Sequence, residues 1–241
     1  MRMFAGPNGS GKSELKSYLP ATLLGRYLNP DEIESGIRQS GLLNLPAWGV
    51  MTTPEEVLPF FTQSDFLREV GLAESAATLR VVDGCLDFAT VPVNAYFAAV
   101  AAEFIRKKLI KQGVTFTLET VMSHSGKVAL LADAQRKGYR TYLYYVATDD
   151  PEINVSRVIN RVALGGHSVP EDKIVSRYHR SLEHLIDAIR QPNRAYIFDN
   201  STANEQREHT WLAEITEGSR LELKTERIPS WIRRAVLDKI H

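Results

Sequence analysis

Gly6-Pro7-Asn8-Gly9-Ser10-Gly11-Lys12-Ser13 is the stretch whose reading decides the fold. It fits the pattern Gly-x-x-x-x-Gly-Lys-Ser, a phosphate-binding loop. Glycines at 6, 9 and 11 open backbone conformations closed to other residues, so successive N–H groups can turn toward phosphate oxygens. Lys12 is placed to reach the β- and γ-phosphates of a nucleotide, and the Ser13 hydroxyl to ligate Mg²⁺. A helix starting near Lys12 would add its positive dipole end.

The flanks agree with this reading. Met1 to Ala5 is a short, mostly apolar run suited to a buried strand, and Glu14 to Leu19 reads as a helix cut short by Pro20. Strand, glycine-rich loop and helix in that order is the context the motif requires.

Working outward, strands and helices alternate. Strands are expected at Arg26–Leu28, Val114–Leu118, Tyr139–Ala147, Ala195–Phe198 and, weakly, Leu221–Thr225. Helices are expected at Val93–Gln112, Ser125–Lys137, from Asp150-Pro151 to Leu164, from a Ser168-Val-Pro-Glu171 capping box to about Arg190, and at Ser230–Ile240. The fold class is α/β, a P-loop NTPase/kinase-like parallel sheet with helices on both faces. Residues 1–241 read as one domain, with residues 41–92 an insertion of short helices and a hairpin turning at Asp83-Gly84.

Bulk properties narrow the partners. With 241 residues, 29 basic and 29 acidic, the net charge is zero, so no global field draws nucleic acid or an anionic membrane. Neither is expected as a partner. The single cysteine, Cys85, leaves no internal disulfide and fits a reducing compartment. No apolar stretch is long enough to span a bilayer. With the first strand at the N-terminus no signal peptide is expected, and the cytoplasm is the expected location.

Several side chains would join the loop at the carboxyl ends of the strands. Asp31 follows the second strand and is either a base that deprotonates a substrate hydroxyl or a helix cap. Glu119 would bind a sugar hydroxyl or hold Mg²⁺ through water, or is an exposed strand-end acid. Asp149 and Asp150 look structural. Arg157 and Arg161 share a helix face ahead of Gly165-Gly166, which would break the helix into a mobile loop. They suit a lid that neutralises charge on the γ-phosphate, or a solvated face with salt bridges. Arg177, with Arg180, would meet an anionic substrate or water. His167 is a candidate phosphate contact.

Together these residues resemble the zeta-toxin family of small-molecule kinases, in particular its chromosomal branch often labelled predicted ABC-type ATPase. The matching stretches are residues 5–13, Asn29-Pro-Asp-Glu-Ile33, Phe116-Thr-Leu-Glu-Thr-Val-Met-Ser123, Gly138 to Ala147, Arg157 to Pro170, Arg177 to Leu182 and Ala195 to Ser201. The resemblance implies a phosphotransferase using ATP and Mg²⁺, with Asp31 as catalytic base, Lys12 and Ser13 on ATP·Mg²⁺, and Glu119 as substrate-binding acid. It implies UDP-N-acetylglucosamine as acceptor and an antitoxin protein as partner. The insertion at 41–92 departs from well-studied zeta toxins and would shape a different acceptor pocket. The rival readings are a toxin defined by its antitoxin and acting on another acceptor, and a nucleotide-gated NTPase or interaction module with no small acceptor.

Overall fold

Met3, Phe4 and Ala5 are wholly buried, as a strand flanked and covered on all sides demands. In the computed structural model, which describes residues 1–166, 168–202 and 209–240, they form β1 (Arg2–Ala5). The remaining strands in chain order are β2 (Arg26–Leu28), β3 (Leu42–Asn44), β4 (Arg80–Val82), β5 (Cys85–Asp87), β6 (Phe116–Thr120), β7 (Tyr142–Ala147), β8 (Arg194–Asp199), β9 (Thr210–Thr216) and β10 (Arg220–Leu223). The α-helices are α1 (Ala21–Leu24), α2 (Pro30–Ser40), α3 (Pro54–Thr62), α4 (Asp65–Glu69), α5 (Ala73–Ala77), α6 (Ala95–Lys111), α7 (Ser125–Arg136), α8 (Pro151–Ala163), α9 (Glu171–Glu183), α10 (Leu185–Ile189) and α11 (Ser230–Ala235). None of the described helices is long and apolar enough to cross a membrane.

The chain divides into two compact units, Met1–Leu24 with Thr117 onward, and Gly25–Phe116. In the first, strands follow the order β10-β9-β8-β7-β1-β6. β1 pairs in parallel with β6 and β7, and β7 in parallel with β8. The edge differs from the all-parallel expectation: β8 to β9 and β9 to β10 are antiparallel. β9 has no counterpart in the sequence reading. A register shift at Ile197/Phe198 in its partner accompanies a strand whose buried residues, Leu212, Ala213 and Ile215, do not alternate strictly.

Local chemistry explains the helix ends. Asp150 caps α8 by accepting from Glu152 N at 2.9 Å, with Pro151 first in the helix. The glycines after α8 do not begin a loose loop. Gly165 takes φ +86°, its N–H bonds Val162 O at 2.9 Å, and Gly166 N–H bonds Arg161 O at 2.9 Å, which is a Schellman cap. The expected Ser168 capping box does not form, because Pro170 holds the position before α9 and has no side-chain bond to give. Val155 and Val158 on α8 pack on Ile174 of α9.

The second unit has its own core. Val57, Phe61, Leu67, Leu86 and Phe97 are fully buried, and Phe88 meets Phe97 edge-on at 5.8 Å. β4 and β5 pair antiparallel about Asp83-Gly84, both at positive φ, and β3 adds to β5.

Candidate functional site

β1 delivers the chain into the phosphate loop with Gly6, Gly9 and Gly11 at φ +140°, +74° and +92°. Side chains rarely adopt such angles, and the neighbours leave no space for one. A Cβ would lie 1.9 Å from Val146 O at Gly6, 2.6 Å from Asn154 O at Gly9 and 2.3 Å from Asn200 Nδ2 at Gly11. Lys12 is buried and its Nζ folds back to donate to Pro7 O at 2.8 Å, which offsets the cost of burying an ammonium. Among the described residues, the fully buried Ser10 hydroxyl and the Oδ1 of nearly buried Asn8 have no hydrogen-bond partner.

The helix expected after the loop is a seven-residue 3₁₀ segment, Lys12–Tyr18. Pro20 holds Leu19 in extended backbone, which ends the segment there.

Glu119 meets the loop through Ser13, whose Oγ lies 3.1 Å from each carboxylate oxygen. Sheet register brings them together. Glu119 sits inside β6 opposite Phe4, rather than ending the strand, one position before Ala5 leads into the loop. Just beyond, buried Met122 holds φ +56°, a strained turn whose N–H bonds Thr120 Oγ1 at 3.2 Å. A hydroxyl beside a carboxylate is a hard-oxygen donor set that suits Mg²⁺. No group of three or more His, Cys, Asp or Glu among the described residues could hold a metal, so such an ion would rely on phosphate oxygens and water.

Three side chains that sequence reasoning did not single out touch the loop's carbonyls. Asn154 Nδ2, from α8, donates to Asn8 O, while its Oδ1 accepts from Thr148 Oγ1. Asn200 Nδ2, just after β8, donates to Ser10 O at 2.9 Å. His209 Nε2, just before β9, lies 3.2 Å from Gly11 O. A carbonyl only accepts, so Nε2 carries the proton and bare Nδ1 accepts from Tyr18 Oη at 3.1 Å. Burial pushes the His209 pKa down, helped by Arg157 and opposed by Glu14, whose carboxylate is 4.0 Å away.

Arg157 is half-buried on α8. Arg161 is half-buried one turn later on α8, with its stem packed where a side chain on Gly166 would stand. Arg177 is half-buried on α9. His167 lies outside the described residues. Asp149 accepts from Ser230 Oγ at 2.8 Å and Trp231 N at 3.1 Å, so it caps α11.

Asp31 belongs to the 25–116 unit. It is not the helix cap: Asn29 is, accepting from Asp31 N at 2.9 Å, and Pro30 is the first residue of α2. Asp31 is exposed in the first turn.

Residues 91–210 match the family model described as Zeta toxin, a stretch that includes Glu119, Arg157, Arg161 and Arg177 but not the phosphate loop or Asp31. An uncharacterized protein of Haemophilus influenzae is 33% identical over 69 residues, 29% of this chain and 49% of that protein. Among solved structures, the AvrRxo1-ORF1:-ORF2 complex with ATP is similar at a TM-score of 0.56 and 14% identity, over 92% of this chain and 60% of that one. The same complex with sulphate ions gives 0.56 at 13% identity, over 93% and 61%. The chain thus spans less than two thirds of the chains it resembles. The fold is shared with these structures, and the family match bears out the zeta-toxin resemblance of the motifs that lie between residues 116 and 201.

Proposed function

Taking the chain as a zeta-toxin-family P-loop protein, we propose that it transfers the γ-phosphoryl group of ATP to a hydroxyl of a small metabolite. The observation that carries this reading is the glycine-cradled loop with Ser13 bonded to Glu119. The loop's N–H groups and Lys12 would hold the β- and γ-phosphates, with the buried Ser10 hydroxyl as a further donor. Ser13, with Glu119 beside it, would hold Mg²⁺, whose charge offsets that of the phosphates. Glu119, matched by motif to the family's substrate-binding acid, would take the acceptor or a metal-bound water in place of Ser13.

Asp31 accepts the proton of the acceptor hydroxyl. The acceptor's oxygen bonds the γ-phosphorus as the bond to ADP breaks, and ADP leaves. Arg157 and Arg161 meet the charge on the transferring group. Arg177 and His167 remain candidates for an anionic acceptor. UDP-N-acetylglucosamine is the first acceptor to try, on the family resemblance, and the 41–92 segment is where a different acceptor would be specified.

The test is ADP formation with and without UDP-N-acetylglucosamine and small alcohols, using Lys12→Ala as control. Acceptor-dependent ADP that Lys12→Ala abolishes is the expected result. Phosphate release indifferent to every acceptor would favour the NTPase reading instead. A second reading, control by an antitoxin, is favoured by the Zeta toxin match and by the partnered state of the AvrRxo1-ORF1:-ORF2 structures. Growth of bacteria expressing the wild type and Lys12→Ala decides it: slowing by the wild type alone is expected.

A further inference from the structure

In a trans peptide the C=O and the following N–H point in opposite directions. Fixing a carbonyl on one side therefore fixes the next N–H on the other. Four carbonyls of the phosphate loop are held in this way: Pro7 by Lys12, Asn8 by Asn154, Ser10 by Asn200 and Gly11 by His209. The N–H groups turned to the opposite side belong to Asn8, Gly9, Gly11 and Lys12.

Three of the four donors come from far along the chain, 146, 190 and 198 residues from the carbonyls they hold. Each is itself fixed. Asn154 is wholly buried between Thr148 and the loop, and Thr148 O in turn accepts from Tyr178 Oη at 2.7 Å. Asn200 is buried, with its own N–H on Ala147 O at 2.9 Å. The His209 side chain is buried against Tyr18, with the ring centroids 5.5 Å apart.

We infer that Asn154, Asn200 and His209 are positioning residues that clamp the outward carbonyls of the loop, so that its N–H groups stand aimed at a polyphosphate before one arrives. They act through the backbone and do not touch the anion. Glycine alone gives the loop the freedom to form this nest; the clamp removes that freedom, so binding does not have to order it. The inference rests on reading the loop as the ATP site.

The test measures affinity for inorganic tripolyphosphate and for ATP, together with thermal unfolding, in the full chain. Asn200→Leu keeps the volume and removes the donor, leaving Ser10 O buried and unsatisfied. His209→Leu removes the side-chain donor at Gly11 O, which keeps only the Glu14 N–H at 3.1 Å, whereas His209→Gln keeps an N–H donor at the end of its side chain. The clamp predicts about tenfold weaker tripolyphosphate binding in each leucine variant, and recovery in His209→Gln. A merely structural role predicts no difference between His209→Leu and His209→Gln at equal melting temperature. If Asn200→Leu does not fold, the His209 pair carries the test. Folded leucine variants that bind as the wild type does would overturn the clamp, as would a wild type that binds no tripolyphosphate. Clamp-dependent binding with no transfer to any acceptor would leave the clamp standing and overturn the phosphotransferase reading alone.

Discussion

The phosphate-loop unit and the 25–116 unit are built on opposite plans. In the first, the candidate site is built from backbone: three loop glycines at positive φ, four carbonyls each held by a side chain, and a Cβ clash waiting at each of those three glycines. The second is an ordinary apolar core, with Phe61, Leu67 and Phe97 fully buried. Its surface ion pairs, such as Lys108–Glu56 at 2.6 Å and Arg68–Asp65 at 2.7 Å, are worth little. An ordinary core tolerates substitutions that conserve volume; a nest of backbone amides tolerates almost none. The phosphate loop is therefore fixed, while the core of the 25–116 unit is free to vary.

Substitutions sharpen that contrast. Asp31→Asn should show the largest effect, a fall in turnover of about 10² to 10⁴, with ATP affinity kept. Steady-state kinetics and calorimetric titration check it, and unchanged turnover removes Asp31 as the base. Phe97→Ala should cost about 3 to 5 kcal/mol of stability in denaturant melts, while turnover per folded molecule stays near the wild-type value. A selective loss of turnover would show that the core of this unit is less ordinary than its packing indicates.

In the other unit, Gly9→Ala should cost about 1 to 3 kcal/mol from backbone strain, and more from the 2.6 Å approach to Asn154 O. It should also lose nucleotide binding even in the folded fraction. The smallest effect is on pH dependence. Burial holds the His209 pKa below its ordinary 6.5 in the folded chain, so the unfolded chain takes up the proton first. The contribution is complete above pH 6.5 and is lost as pH falls through that value toward the folded pKa. Melting temperatures across this window should drop for the wild type and drop less for His209→Gln.

The same contrast explains what the sequence allowed one to read. The loop was legible because only glycine satisfies its geometry, so chemistry and residue type coincide. The Asp83-Gly84 turn was legible for the same reason. The parallel strands came from their apolar runs, and Asn29 rather than Asp31 emerged as the cap because only a structure assigns the bond. The clamp was not legible: asparagine and histidine occur anywhere, and nothing in residue type links positions 146 to 198 residues apart. β9 escaped because its burial pattern does not alternate. The loose lid expected at Gly165-Gly166 became a Schellman cap, since glycine serves both purposes and the hydrogen bonds decide between them.

In the proposed reaction, ATP held in the loop gives its γ-phosphoryl group to an organic hydroxyl. ATP labelled in its γ-phosphoryl group, incubated with the protein and a panel of nucleotide sugars and small alcohols, tests it by mass spectrometry. One acceptor should gain the labelled phosphoryl group with wild type and not with Asp31→Asn. Label found only in inorganic phosphate, whatever acceptor is present, would contradict it.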